Sequence, residues 1–129
     1  MAKRISSVVV LLILVFSLSI SASARWDNAY RCVPTLDFSG HSISCAASIT
    51  PTEATAKITA SMVLYRVNSN GTLSTCATWP NKTGTGYLSL SGRYPSAQSG
   101  GTYRLVVTGT VKDNTGSHSI STYRQAKCP

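Results

Sequence analysis

The sequence predicts an all-β domain built from two facing sheets. Hydrophobic residues recur at period two in seven short runs, turn-forming clusters separate the runs every ten to fifteen residues, and no run has a helical period. Ser, Thr and β-branched residues fill the runs while only 12% of residues are charged, a composition that favours strands over helices. One small domain spanning residues 25–129 is the expected organisation. That excludes a nucleotide-binding α/β enzyme, a multidomain receptor and a coiled coil.

Residues 1–24 read as a signal peptide. Lys3 and Arg4 precede an apolar run from Ile5 to Ile20 in which Ser is the only polar type. Ser21-Ala22-Ser23-Ala24 then places small residues at the −3 and −1 positions of a cleavage site. A retained membrane anchor is the alternative, but about 16 apolar residues fall short of the ~20 that span a bilayer. No cysteine follows the cleavage position, and the chain closes at Lys127-Cys128-Pro129 without a hydrophobic tail. A released, extracellular protein that is not membrane-embedded is the expectation.

In the first run Leu36 and Phe38 alternate with Asp37, and Ser39-Gly40 breaks it. Ile43, Cys45, Ala47 and Ile49 share one face of the second, which Pro51 ends. Ile58, Ala60, Met62 and Leu64 are the inward set of the third, which runs on through Tyr65 and Val67. Asn68-Ser69-Asn70-Gly71 is a hairpin signal, because Asn-Gly takes the positive φ angles of a type I′ turn. Thr72 to Trp79 returns as the fourth run, stopped by Pro80. Tyr87 to Leu90 is a short fifth, after the Gly84-Thr85-Gly86 turn. Thr102 to Val111 is the strongest strand, with Tyr103, Leu105, Val107 and Val111 on one face. Asp113-Asn114-Thr115-Gly116 turns the chain into Ser117 to Gln125, a less apolar run expected at an edge. Seven such strands suggest a β-sandwich of immunoglobulin-like or fibronectin-like type, with a small barrel as the alternative.

Cys32, Cys45, Cys76 and Cys128 all follow the leader, and an even count in a short exported chain reads as a disulfide framework. Their spacings of 13, 31 and 52 residues do not suit a zinc site, even with His41 close to Cys45. The usual immunoglobulin bridge joins the second and sixth strands, and here the sixth has no cysteine. Four cysteines permit three pairings. The second strand starts and the seventh ends at the same end of a sandwich, which favours Cys45 with Cys128 and leaves Cys32 with Cys76. Strand parity works against the second pair, since it puts Cys76 opposite the Trp79 face.

No nucleophile motif accompanies the serines, so a Ser-His-Asp site would have to be assembled from His41 or His118 with Asp37 or Asp113. Asp27, Asp37, Glu53 and Asp113 are too few, and too confined to turns and the terminus, for a pair of glycosidase carboxylates. Asp113-Asn114 reads as a turn rather than a calcium site. No cofactor is expected. The basic residues are scattered and mostly at outward strand positions, unlike the clustered stripe with stacking aromatics of a nucleic-acid binder. Attraction to an anionic wall, headgroup or acidic glycan needs no cluster, and the net charge is +8. Trp26, Tyr30 and Tyr94 are the candidate ligand contacts, whereas Trp79 and Tyr103 belong in the core. Asn70-Gly71-Thr72 and Asn81-Lys82-Thr83 match the glycosylation sequon.

Three stretches carry a resemblance: Tyr30-Arg31-Cys32-Val33-Pro34 leading to Ser44-Cys45-Ala46-Ala47-Ser48-Ile49, Met62 to Thr72, and Gly101 to Val111. Together they resemble small secreted proteins of Clostridia-type gut bacteria (Firmicutes), a family of unknown function. The resemblance implies a bacterial, exported protein, in which the sequons stay unmodified, and brings no active site with it. The expected function is a secreted, non-enzymatic binding or structural module, monomeric, meeting a surface glycan or protein through loops or a sheet edge. The alternatives are a cationic effector acting on anionic membranes and a small hydrolase or inhibitor.

Overall fold

The computed structural model describes residues 25–26 and 29–129, so the expected signal peptide lies outside it. The strands are β1 (Arg25–Trp26), β2 (Tyr30–Ser39), β3 (Ser42–Pro51), β4 (Lys57–Val67), β5 (Leu73–Thr85), β6 (Leu88–Tyr94), β7 (Thr102–Asp113) and β8 (Gly116–Lys127). They form two antiparallel sheets, ordered β1-β2-β3-β6 and β5-β4-β7-β8. The seven long strands are those that the alternation predicts. Two-residue β1, paired through Arg25–Cys32 and Trp26–Arg31, is too short to leave a period in the sequence.

Alternation decides which side chains meet between the sheets. Ile43, Cys45, Ala47 and Ile49 of β3, Ile58, Ala60, Met62 and Leu64 of β4, and Tyr103, Leu105, Val107 and Val111 of β7 are all buried. Each large aliphatic among them contributes roughly 1.5–3 kcal/mol by leaving water. Tyr30 ties the sheets directly: its hydroxyl donates to the Ser119 carbonyl at 2.7 Å, from β2 to β8. Gly109 lets β4 and β7 approach closely, since a Cβ there would stand 2.1 Å from the Thr59 carbonyl oxygen.

Strand β5 departs most from expectation. It does not stop at Pro80 but continues to Thr85, because it is an edge strand and the missing N–H can face away from the ladder. Pro80 and Asn81 together stand against Ser61 alone, between the Ala60–Lys82 and Met62–Trp79 pairs. Asn81 takes a φ of 45° in this bulge, and its N–H donates to Ser61 Oγ at 2.9 Å. A second bulge inserts Cys76 between Thr75, opposite Tyr65, and Ala77, opposite Leu64. Strict parity would turn Cys76 away from Trp79. The extra residue undoes that, and Cys76, Ala77 and Trp79 all pack against the core.

Two further local expectations change. The Asn68–Gly71 turn is not type I′, because only Gly71 has a positive φ, at 86°. It closes instead through Gly71 N–H to the Asn68 carbonyl and Asn68 N–H to the Thr72 carbonyl. Strand β6 starts after Tyr87 and runs to Tyr94, past Gly92, where the sequence shows no apolar alternation.

No cysteine pair stands at disulfide distance, so neither expected bridge is formed in this structure. The end-to-end relation behind Cys45–Cys128 does hold, since Cys128 Sγ lies 4.0 Å from the Gly40 carbonyl in the β2–β3 turn. Cys45, however, is three residues into β3 from Ser42, roughly 10 Å along the strand. Cys32 pairs with Ile49 and Cys45 with Leu36, a further four-residue offset of roughly 13 Å. Cys32 therefore sits toward the opposite end from Cys76 as well.

Candidate functional site

The parity that buries Leu64 and Leu105 sends their neighbours to the outer face of the β5-β4-β7-β8 sheet. Cross-strand pairing sets them in rows. Thr75, Tyr65, Arg104 and Gln125 form one row, and Thr78, Val63, Val106 and Tyr123 the next. Ser61, Thr108 and Ser121 follow, then Thr83, Thr59, Thr110 and Ser119, and last Thr85, Lys57, Lys112 and Ser117. The face thus grades from aromatic and guanidinium groups, through hydroxyls, to two lysines. Its cations are Lys57, Lys112 and Arg104 in these rows and Lys127 in the row beyond, opposite Thr102, and none of these rows contains a carboxylate.

Arg104 is held in place. Its guanidinium carbon stands 4.7 Å from the centroid of the Tyr123 ring, and its Nε donates to Gln125 Oε1 at 2.8 Å. A cation over a ring at an exposed site contributes about 0.5–1 kcal/mol. Tyr65 is directly opposite Arg104 in register, so two half-buried rings flank one fixed donor. At the lysine end an open cavity of about 290 Å³ is lined by Lys57, Ile58, Thr59, Thr83, Gly84 and Thr85. A flat surface of this kind offers ring faces for the C–H face of a sugar, and fixed donors and acceptors for its hydroxyls.

Two of the three contact residues read from the sequence, Tyr30 and Tyr94, serve the packing of the sandwich. Tyr30 is 1% exposed and spent on the Ser119 carbonyl, so it is a tie between sheets and not a ligand contact. Tyr94 is half-buried at the end of β6, 6.4 Å ring to ring from Tyr103. Its phenol pKa is raised, first by burial and then by the Cys76 thiol beside it. Trp26 pairs through its backbone with Arg31, and its side chain lies outside the described residues. Tyr65, Tyr123, Arg104 and Gln125 are the residues that sequence reasoning missed. Their signal was parity, which marks them as outward, combined with a pairing register that sequence does not display.

His41 lies in the β2–β3 turn, and His118 in β8 just past the β7–β8 turn. His41 Nδ1 is 3.2 Å from the Ala97 carbonyl, a link between two loops. His118 does meet Asp113, with Nε2 3.1 Å from Oδ1, and Thr115 Oγ1 is 2.9 Å from that same nitrogen. A catalytic relay needs the carboxylate on one ring nitrogen and the hydroxyl on the other. Here all three groups share one corner, and the Thr115 hydroxyl donates to Asp113 at 2.6 Å. That hydroxyl is the main cause holding the Asp113 carboxyl below its usual range. Burial pushes the Cys32 thiol up to about 11 and Cys45 to about 12, the latter with a contribution from nearby Cys76.

No protein-family model matches this chain, and no curated protein matches it. Solved structures do resemble it in fold. The sensor domain of an anti-sigma factor from Pseudobacteroides cellulosolvens is 13% identical, with a TM-score of 0.51 over 78% of this chain and 94% of that one. A putative late embryogenesis abundant protein is 15% identical, with a TM-score of 0.50 over 98% of this chain and 83% of that one.

Proposed function

We propose that this chain is an exported, monomeric, non-enzymatic module of bacterial origin that binds an acidic polysaccharide on the outer face of its β5-β4-β7-β8 sheet. The observation that carries this reading is the Arg104 guanidinium fixed between Tyr123 and Gln125, in one row with Tyr65. A preset donor flanked by rings costs little ordering on binding. Rows of hydroxyls and two lysines extend that platform, with no carboxylate to repel uronate or sulfate groups. The sandwich itself is read as fibronectin-like: the fourth long strand, β5, pairs with the third, β4, whereas immunoglobulin constant domains set the fourth beside the fifth.

Affinity electrophoresis through gels containing polygalacturonate tests the proposal. The wild-type chain should be retarded, with little retardation in gels of an uncharged polysaccharide, and Tyr65→Ala/Tyr123→Ala should migrate freely while keeping its fold. Equal retardation of wild type and double variant would rule this face out. Leakage of anionic vesicles at the same protein concentrations would favour a membrane-active protein.

A further inference from the structure

We propose that Cys45 and Cys76 are a disulfide site that cross-links β3 of one sheet to edge strand β5 of the other. Placement, not cysteine count, singles out this pair. The β5 bulge turns Cys76 to the core side of its strand, where, like Trp79, it packs against the core. Cys45 faces the same core and stands opposite Gly92 of β6. Trp79 occupies the space that Gly92 leaves, since a Cβ there would lie 2.1 Å from its indole Cε2. Side chains of β5 therefore lie directly against the Cys45–Gly92 pair. Two residues beyond Gly92, Tyr94 lies beside Cys76, and Cys45 and Cys76 are near enough to interact electrostatically. Cys32 and Cys128 are drawn to opposite ends of β2, beside Ile49 and Gly40.

The bond requires β5 to move inward, and the fold permits that. β5 is paired only with β4, and bulges at Cys76 and at Pro80–Asn81 bracket the segment that must shift. The oxidant is a small-molecule disulfide. Half-exposed Cys76, as thiolate, attacks one of its sulfurs, the S–S bond breaks, and one small thiol leaves with a proton from solvent. Cys45 then loses its proton to solvent and displaces the second small thiol from the mixed disulfide. Two protein thiols are oxidised and one small disulfide is reduced to two thiols. Burial of Cys45 makes the second step the slow one, accelerating as pH rises.

The test uses the folded chain incubated with glutathione disulfide, alkylated, and digested without reduction by chymotrypsin, which separates Cys32 from Cys45 at Phe38. The expected result is a linked Cys45–Cys76 fragment with Cys32 and Cys128 alkylated. The oxidised chain should melt ~10 °C above the reduced one. In Cys45→Ser, Cys76 should remain capped by glutathione, which shows that the first step needs only Cys76. A fragment linking Cys45 to Cys128, any link to Cys32, or a wild-type chain that stops at glutathionylated Cys76 would overturn the assignment. None of these outcomes depends on polysaccharide binding.

Discussion

Thr122 sits in β8 opposite Val107, 3% exposed, and its hydroxyl has no hydrogen-bond partner among the described residues. An orphaned buried hydroxyl costs about 1–3 kcal/mol, whereas an apolar group of the same shape costs nothing comparable. Thr122→Val should therefore raise the denaturation midpoint, by about 1 kcal/mol of stability. A midpoint unchanged or lowered in urea titration would mean that the hydroxyl is satisfied in solution. Gly92 presents the reverse case. Any side chain there displaces the Trp79 indole, so Gly92→Ala should cost roughly 1–3 kcal/mol, with a red-shifted tryptophan emission reporting the displaced ring. Neither residue was legible in the sequence. A threonine in a Ser- and Thr-rich strand and a glycine in a short one look ordinary until their cross-sheet neighbours are known. Tyr30 fared likewise: it reads as an exposed ring near the expected mature N-terminus, but its hydroxyl is claimed by a carbonyl 89 residues away.

At the scale of elements, the strands whose two faces differ in polarity were read nearly to their ends. The buried sets of β3, β4 and β7 are those that alternation selects, because a one-residue slip would turn each set to solvent. β5 resisted, since a bulge adds a residue without a compositional mark and resets the parity after it. The β7–β8 turn was read correctly as a turn, but its side-chain network was not. That network gives the turn a pH dependence. Asp113 has a folded pKa below its unfolded value, first through the Thr115 hydroxyl. Its contribution is thus complete above the unfolded carboxylate range and is lost as pH falls through the lower folded value. Amide exchange at Thr115 should stay protected at neutral pH and open in that acid window. In Asp113→Asn the turn should show no such acid transition.

For the whole molecule, two sheets leave one broad outer face rich in hydroxyls and free of carboxylates on a chain of net charge +8. Binding of a polyanion to such a face should weaken with salt, because exposed charges are screened within about 10 Å at 0.1 M. Raising salt from 0.05 to 0.5 M should release polygalacturonate, and retention at high salt would point to stacking alone. The two-sheet class was legible from periodicity and turn spacing, but the platform was not. Outward residues obey no selection for burial, so only the register shows that Tyr65, Arg104 and Gln125 share a row.

The asymmetry of the larger sheet's two margins has its own consequence. β5 is interrupted by two bulges and Pro80, so an incoming strand would meet a broken line of donors and acceptors. β8 runs from Gly116 to Lys127 in continuous register with β7, with only its Ser119 carbonyl seen engaged by the Tyr30 hydroxyl of β2. If this protein ever templates its own polymerisation, growth starts at β8. There Arg124 and Lys127 are exposed, and like-charge repulsion between two copies supplies a colloidal brake that β5 does not need.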